Sequence, residues 1–395
     1  MKLVKWIVFC IAACSLLAGC RKKDVGVFIP AGVETLGAEE EWTVEVAEES
    51  VETDEETEVF AQGKDPFADV VVASASDFEY ALTDNLEGVK LIKYKGAGAK
   101  VEILSEIEGM PVIELGEKCF ARNKALTTVV IPDSVKKIGN ELFEECESLR
   151  YVRLPKDISY ISANMFSRCK SLEEFVLPSS IEWIGGWAFQ GTGLKSIVIP
   201  KSVELGRGVF SGCVQLVSVE LPEDMTALSE WLFSACSSLK KITLPKSITR
   251  IENESLPGEW LTELTIPKNV VYIGDMHFKA LKSIEMPDSV EVSFAIFADC
   301  TSLEYAHLSD SLKSIPSRCF ENCTSLKTVN LPASLERMGG AAFKNLSSLE
   351  KLIIPDSLTR NINAFGAGEW FEGTKLPLAT QVQLRKIGCY ETFKN

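Results

Sequence analysis

LTTVVIPDSVKKIGNELF (126–143), LRYVRLPKDISYISANMF (149–166) and LEEFVLPSSIEWIGGWAF (172–189) align without a gap. Each reads Leu-x-x-apolar-x-apolar-Pro, then two residues, an aliphatic, two more, Ile, and finally Phe. The apolar-Pro pair returns at Pro132, Pro155, Pro178, Pro200, Pro222, Pro245, Pro267, Pro287, Pro332 and Pro355, with Ser309 filling the remaining slot. Spacings are 20 to 23 residues throughout. A second mark runs through Phe120, Phe143, Phe166, Phe189, Phe210, Phe233, Phe278, Phe297, Phe320, Phe343 and Phe371, with 251–260 the one poor match. Self-similarity at this period predicts a repeat solenoid of about eleven coils.

The physics of one coil is legible at residues 149–166. Side chains of a strand alternate, so Leu149, Val152 and Leu154 point inward while Tyr151 and Arg153 point outward. Pro155 has no N–H, ends the strand and turns the chain. Ile158 and Ile161 return toward the core, and the Phe plugs the far side. No single coil buries these groups alone, so stability is a sum of neighbour interfaces. The return arms are expected to be irregular or short-helical. At ~4.8 Å per strand, eleven coils extend on the order of 50 Å.

Cysteine falls on the same grid. Cys146, Cys169, Cys213, Cys236, Cys300 and Cys323 all lie three residues after a Phe, and Cys119 and Cys319 lie just before one. Asn123 and Leu346 take the first slot elsewhere, and Ala188, Ala342 and Leu232 the second, a pattern that suits a small buried filler. Disulfides between neighbouring coils are the alternative, disfavoured because parallel Cα–Cβ vectors hold the Cβ atoms apart. No zinc site is expected, because Cys319-x3-Cys323 mixes two slots and tetrahedral ligation needs convergent pairs. His277 is expected partly buried in the filler slot, and His307 is expected to project from a strand beside Tyr305 and Glu285. Gly96–Lys100 lacks the context of a phosphate loop and reads as a hairpin turn. Neither a cofactor nor a catalytic residue is indicated.

The first twenty residues, MKLVKWIVFCIAACSLLAGC, pair a basic start with an apolar run too short to span a bilayer comfortably. Leu17-Ala18-Gly19-Cys20 resembles the lipobox of bacterial lipoproteins. That resemblance implies cleavage before Cys20 and its acylation, and hence a membrane anchor through lipid. Residues 34–58 then hold twelve Asp or Glu and no Lys or Arg, which suits a solvated spacer. From residue 59 on, 36 basic and 43 acidic residues remain, a balance that attracts neither nucleic acid nor anionic headgroups.

The repeat resembles the leucine-rich repeats of the BspA-like bacterial surface proteins, approximately aF-x-x-C-x-x-L-x-x-hydrophobic-x-hydrophobic-P-x-S-hydrophobic-x-x-I-G. The resemblance runs from about Phe78 to Gly388. KVEILSEIEGMPVIELGEKCF (100–120) is similar to that family's first coil, with Leu104 where the proline is expected, and TKLPLATQVQLRKIGCY (374–390) to its closing segment. There Leu378, Val382 and Leu384 are expected to give a short helix its apolar stripe. The expected organisation is a signal peptide (1–19), an acidic disordered linker anchored through lipid (20–58), an N-terminal cap (59–99), the solenoid (100–373) and a C-terminal cap (374–395).

Outward strand positions form two columns. In the second, Val130, Arg153, Val176 and Val198 join Tyr151 of the first in a relatively apolar N-terminal half, suited to a protein contact. On the return arm, Trp183 and Trp187 occupy slots that are polar or variable elsewhere, Tyr160 precedes Trp183 by one coil, and Trp231 takes the slot of Trp187 two coils on. These rings either anchor a partner or shield the coil surface. The resemblance implies adhesion to host matrix or cells, or coaggregation with other bacteria, at the outer membrane or cell surface. A periplasm-facing assembly protein with envelope components as partners is the second reading.

Overall fold

Alternation within each Leu-x-x-apolar-x-apolar run makes a three-residue strand, and the following Pro stops it. The computed structural model describes residues 65–288, 290–353, 355 and 370–386. Val71–Val72, Lys100–Glu102, Thr128–Val130 and Tyr151–Arg153 form one parallel sheet. Ser196–Val198 pairs with Ser218–Glu220, Lys241 bridges Glu263, and Ser283–Glu285, Tyr305–His307, Thr328–Asn330 and Lys351–Ile353 form a second four-stranded sheet. Register equals the repeat, so Thr128 faces Tyr151 and Tyr305 faces Thr328. A second ladder of two-residue strands follows the proline turn, as in Tyr160–Ile161, Trp183–Ile184 and Glu204–Leu205. The chain is thus a leucine-rich-repeat solenoid of about eleven coils.

Most return arms carry their Phe between two left-handed residues, Phe278 being an exception. Glu141 (φ 59°) and Glu145 (58°) flank Phe143, and Asn164 (53°) and Arg168 (62°) flank Phe166. Side-chain residues rarely adopt this conformation, and it interrupts any right-handed helix, so the return arms are turns. Their backbone bonds go to the next coil instead: Phe143 N–H donates to Met165 C=O at 2.9 Å, and Phe166 N–H to Ala188 C=O at 2.8 Å. The Phe rings stack along the core, with centroids 5.7 Å apart for Phe143–Phe166, 5.2 Å for Phe166–Phe189 and 5.7 Å for Phe210–Phe233. The stack resumes at Phe278–Phe297 (5.9 Å) and reaches Phe343–Phe371 (5.5 Å). In the poorly matching turn at 251–260, buried Ser255 and Leu256 take the places of the small residue and the Phe.

Before the first full coil, Phe78–Leu82 and Val89–Tyr94 form an antiparallel hairpin, and the latter lies parallel to Met110–Leu115. Tyr94 stacks on Phe120 at 4.9 Å and so continues the Phe column. Gly96–Lys100 is not a hairpin turn: it carries the chain from Val89–Tyr94 to Lys100–Glu102 in a different sheet. The helix Leu378–Lys386 buries Thr380 and Leu384, while Leu378 and Val382 are exposed. The expected stripe is corrected accordingly: Thr380 and Leu384, four apart, share the covered face. His277 likewise departs from expectation. Met276 fills the core beside Phe278, and the imidazole is 63% exposed with Nε2 3.3 Å from the Glu254 carboxylate. His307 projects as expected. Among the described residues, no helix is long and apolar enough to cross a membrane.

Candidate functional site

The cysteines come first, because reactive thiols would make this a different kind of protein. All eight among the described residues are free and buried. Cys146 Sγ donates to the Phe120 carbonyl at 3.1 Å, Cys169 to Phe143 at 3.2 Å, Cys213 to Phe189 at 3.1 Å, Cys236 to Phe210 at 3.1 Å and Cys323 to Phe297 at 3.0 Å. Each of these five thiols therefore reaches back to the preceding coil's backbone. Thr192 and Thr374 occupy the same slot, and the Thr374 hydroxyl donates to the Phe343 carbonyl. In these coils the slot is more than a filler: Cys or Thr there can donate to the preceding coil, whereas Leu346 fills the same slot without a donor. Burial pushes the Cys146 thiol up to about 12 and that of Cys213 to about 11, so neither is a thiolate near neutrality. Among the described residues, no group of His, Cys, Asp and Glu is placed to hold a metal ion.

Two surfaces gather the aromatic and apolar residues that the repeat does not dictate. On the outward sheet face, Tyr151 and Arg153 are half-buried beneath a residue from outside the array. Phe67 meets Tyr151 edge-on at 6.4 Å, and the Arg153 guanidinium lies 4.1 Å from the Phe67 centroid. Val176 and Val198 in the same column are open, at 49% and 59% exposure. Between these two halves the sheet is interrupted. Phe175 stands where other coils place a smaller inward residue such as Val152, Ile197 or Ala306, and its ring packs against both Phe166 (5.2 Å) and Phe189 (5.1 Å). Residues 174–176 form no strand with either neighbour.

The return side is organised differently. Tyr160 Oη accepts from Ile138 N–H at 2.7 Å and lies 3.3 Å from the Ile138 carbonyl. It bridges a place where the second ladder breaks, and its hydroxyl is committed to the backbone. Trp183 is 41% exposed, with Tyr160 and Glu204 as its register neighbours. Trp187 and Trp231, two coils apart, stack on one another at 5.7 Å and 25°. They meet because the coil between them has Gly208 in the same left-handed slot (φ 63°). A Cβ there would lie 2.2 Å from the Trp187 ring. The Arg207 guanidinium sits 4.6 Å from the Trp231 ring and 5.7 Å from Trp187. The structure thus brings Trp187 and Trp231 together, sets Tyr151 beside Arg153, and puts Trp183 elsewhere from both. Sequence reasoning missed Arg207, Gly208 and Phe67. A glycine between two slot-matched tryptophans was a readable signal, whereas Phe67 precedes the repeats and carried none. Cys20 lies outside the described residues.

Exposed positions along the coils are tied by ion pairs one repeat apart. Glu147 joins Lys124 (2.8 Å) and Lys170 (3.4 Å), and Arg168 meets Glu145 at 2.9 Å. The lysines beside Glu147 hold its carboxyl below the ordinary value, and Lys195 does the same for Glu173.

The model of the "BspA type Leucine rich repeat region" matches in six copies, over residues 104–213, 204–292 and 260–368. The chain belongs to this family. Among solved structures, this BspA type chain is similar to a leucine-rich repeat protein from Bacteroides ovatus ATCC 8483. The two are 25% identical over 82% of this chain and 99% of that one, with a TM-score of 0.60. A T. pallidum leucine rich repeat protein is 33% identical over 48% of this chain and 92% of its own, with a TM-score of 0.44. One from Eubacterium ventriosum ATCC 27560 is 21% identical over 72% and 90%, with a TM-score of 0.47. The comparison with curated proteins finds no match.

Proposed function

We propose that this BspA type chain is a surface lipoprotein whose solenoid is a binding scaffold for another protein. The observation that carries the reading is the open middle of the sheet face. Val176 and Val198 stand exposed in successive coils, and Val217, at 60% exposure, adjoins the next strand. Single exposed valines are ordinary, but open valines recurring at the outward column of successive coils suit a protein partner. Trp183, with the edge of Tyr160, offers a second anchor, and the Trp187–Trp231 pair a third.

In this reading residues 1–19 are a signal peptide, Cys20 carries the lipid, and 20–58 is the acidic tether. Residues 59–99 and 374–395 cap the solenoid of 100–373. The biological role is adhesion to host matrix or cells, or coaggregation with other bacteria. No reaction is assigned: the described thiols are buried, with burial pushing those of Cys146 and Cys213 up, and the imidazole of the His277–Glu254 contact is 63% exposed. The periplasm-facing assembly role is the alternative, and proteolytic shaving of intact cells separates the two, since a periplasmic chain survives.

The direct test presents the mature chain to immobilised matrix proteins and to whole bacteria. Val176→Asp with Val198→Asp is expected to lower binding at least tenfold while thermal melting stays unchanged. Undiminished binding by the folded double variant refutes the sheet face as the site.

A further inference from the structure

The sheet face is open at Val176 and Val198 but closed at Tyr151 and Arg153, and what closes it is the chain's own residues 65–72, DPFADVVV. The segment is attached at both ends of this stretch. Val71–Val72 adds a parallel strand to Lys100–Glu102, and Ala73 N–H donates to the Glu102 carbonyl at 2.8 Å. Upstream, Asp65 organises a turn: its carboxylate accepts from Phe67 N–H at 2.9 Å and its carbonyl from Ala68 N–H at 3.2 Å. That turn delivers the Phe67 ring to Arg153 and Tyr151, past Thr128, which is buried although it occupies the outward column. Asp69 lies 3.9 Å from Lys100.

We propose that Tyr151 and Arg153 form a receptor for an aromatic residue presented by an acidic turn of a partner protein, and that residues 65–72 occupy that receptor in cis. The proposal rests on the sheet face being the partner surface, and it adds both the ligand chemistry and its control. The chemistry is that of the occupant. A guanidinium stacks on a ring face, a phenol meets the ring edge, and Lys100 faces the neighbouring carboxylate. The strap is lightly held, because Val71 and Val72 are 69% and 58% exposed and bury little apolar surface. It nevertheless competes strongly, because a tethered segment acts at an effective concentration in the millimolar range. Opening it uncovers Tyr151 and Arg153 in the outward columns that also hold Val130, Val176 and Val198. In sequence the strap follows the acidic run at 34–58 after six intervening residues.

The test uses a fluorescently labelled peptide of residues 65–72 with the mature chain. Wild type is expected to bind it weakly, Phe67→Ala about tenfold more tightly, and Phe67→Ala with Arg153→Ala no better than wild type. Equal binding by wild type and Phe67→Ala, or tight binding that ignores Arg153, overturns the proposal. Phe67→Leu, which keeps apolar bulk and loses the ring face, gives the same comparison if Phe67→Ala lowers the melting temperature. Sedimentation of wild type is expected to show a monomer. A dimer that Phe67→Ala dissociates would mean that the strap is exchanged between two copies, which also overturns occupancy in cis. If the peptide comparison fails while Val176→Asp with Val198→Asp still abolishes partner capture, the strap inference alone falls.

Discussion

Replacing Cys146 in turn by Thr, Val and Ala separates two accounts of the cysteine column. Cys146 is fully buried, and its Sγ lies 3.1 Å from the Phe120 carbonyl of the preceding coil. If the side chain only fills space, Val is the better substitute. A buried hydroxyl without a partner costs about 1–3 kcal/mol, so Thr would fall below Val by that amount. If the slot is built for a donor, the Thr hydroxyl inherits the Phe120 carbonyl, escapes that penalty and adds a net of about 0.5–1.5 kcal/mol, placing Thr level with Val or above it. Thr192 and Thr374 already occupy equivalent positions, so branching at Cβ is tolerated. Ala loses the bond and about one methylene-equivalent of buried surface, for a total of about 2 kcal/mol. Urea unfolding followed by tryptophan fluorescence reports the order, since Trp183 and Trp187 lie close along the solenoid and coil unfolding spreads through neighbour interfaces. We expect Thr to be close to wild type, Val equal or slightly lower, and Ala lowest. A Val variant more stable than Thr by 1 kcal/mol or more refutes the donor role and returns the column to simple filling.

Gly208→Ala sets a methyl group 2.2 Å from the Trp187 ring at a positive φ, so it should cost about 1–3 kcal/mol and split the Trp187–Trp231 stack. Near-ultraviolet circular dichroism and thermal melting check both effects, and an unchanged aromatic spectrum refutes the packing described for this pair. The ion pairs give an acid limb with a definite sign. Hydrogen bonds from Lys124 and Lys170 hold the Glu147 carboxyl below its ordinary 4.5, and Lys195 holds Glu173 in the same direction. Their stabilisation is present above that ordinary value and is lost as the pH falls through the depressed folded values, because the unfolded chain takes up its protons first. Glu147→Gln should therefore flatten the fall in melting temperature below about pH 4.5. Glu254, raised chiefly by burial, has the opposite sign, so Glu254→Gln should stabilise above that range.

The repeat was legible in detail before any coordinates, for a physical reason. Most contacts that build the core join one residue to its equivalent one repeat on, as Phe143 stacks on Phe166 and Tyr151 pairs with Thr128. Spacing alone therefore names both partners. The inward set, the strand-stopping prolines and the buried thiols all follow from that rule. The donor role of the thiols was half legible, since Thr192 and Thr374 share their slot. The direction of the Sγ–carbonyl bonds, 26 residues back in chain for Cys146, needed the tertiary structure.

Elsewhere the period carried no information, because the contact joins residues that are not equivalent. Tyr160 spends its hydroxyl on Ile138, and the exposed faces of the C-terminal helix and of His277 depended on which neighbour filled the core. Trp187 and Trp231 matched by slot, yet whether they shield or reach outward rested on Gly208 leaving room and Arg207 lying across them. The sharpest case is the sheet face. Tyr151 and Arg153 read as open residues in a periodic column, and only the tertiary structure put Phe67 over them. The sequence by itself determined the solenoid, because its stabilising contacts repeat with the chain. The tertiary structure alone decided which part of its surface is free, because the covering segment lies outside the repeat and its contacts have no period to read.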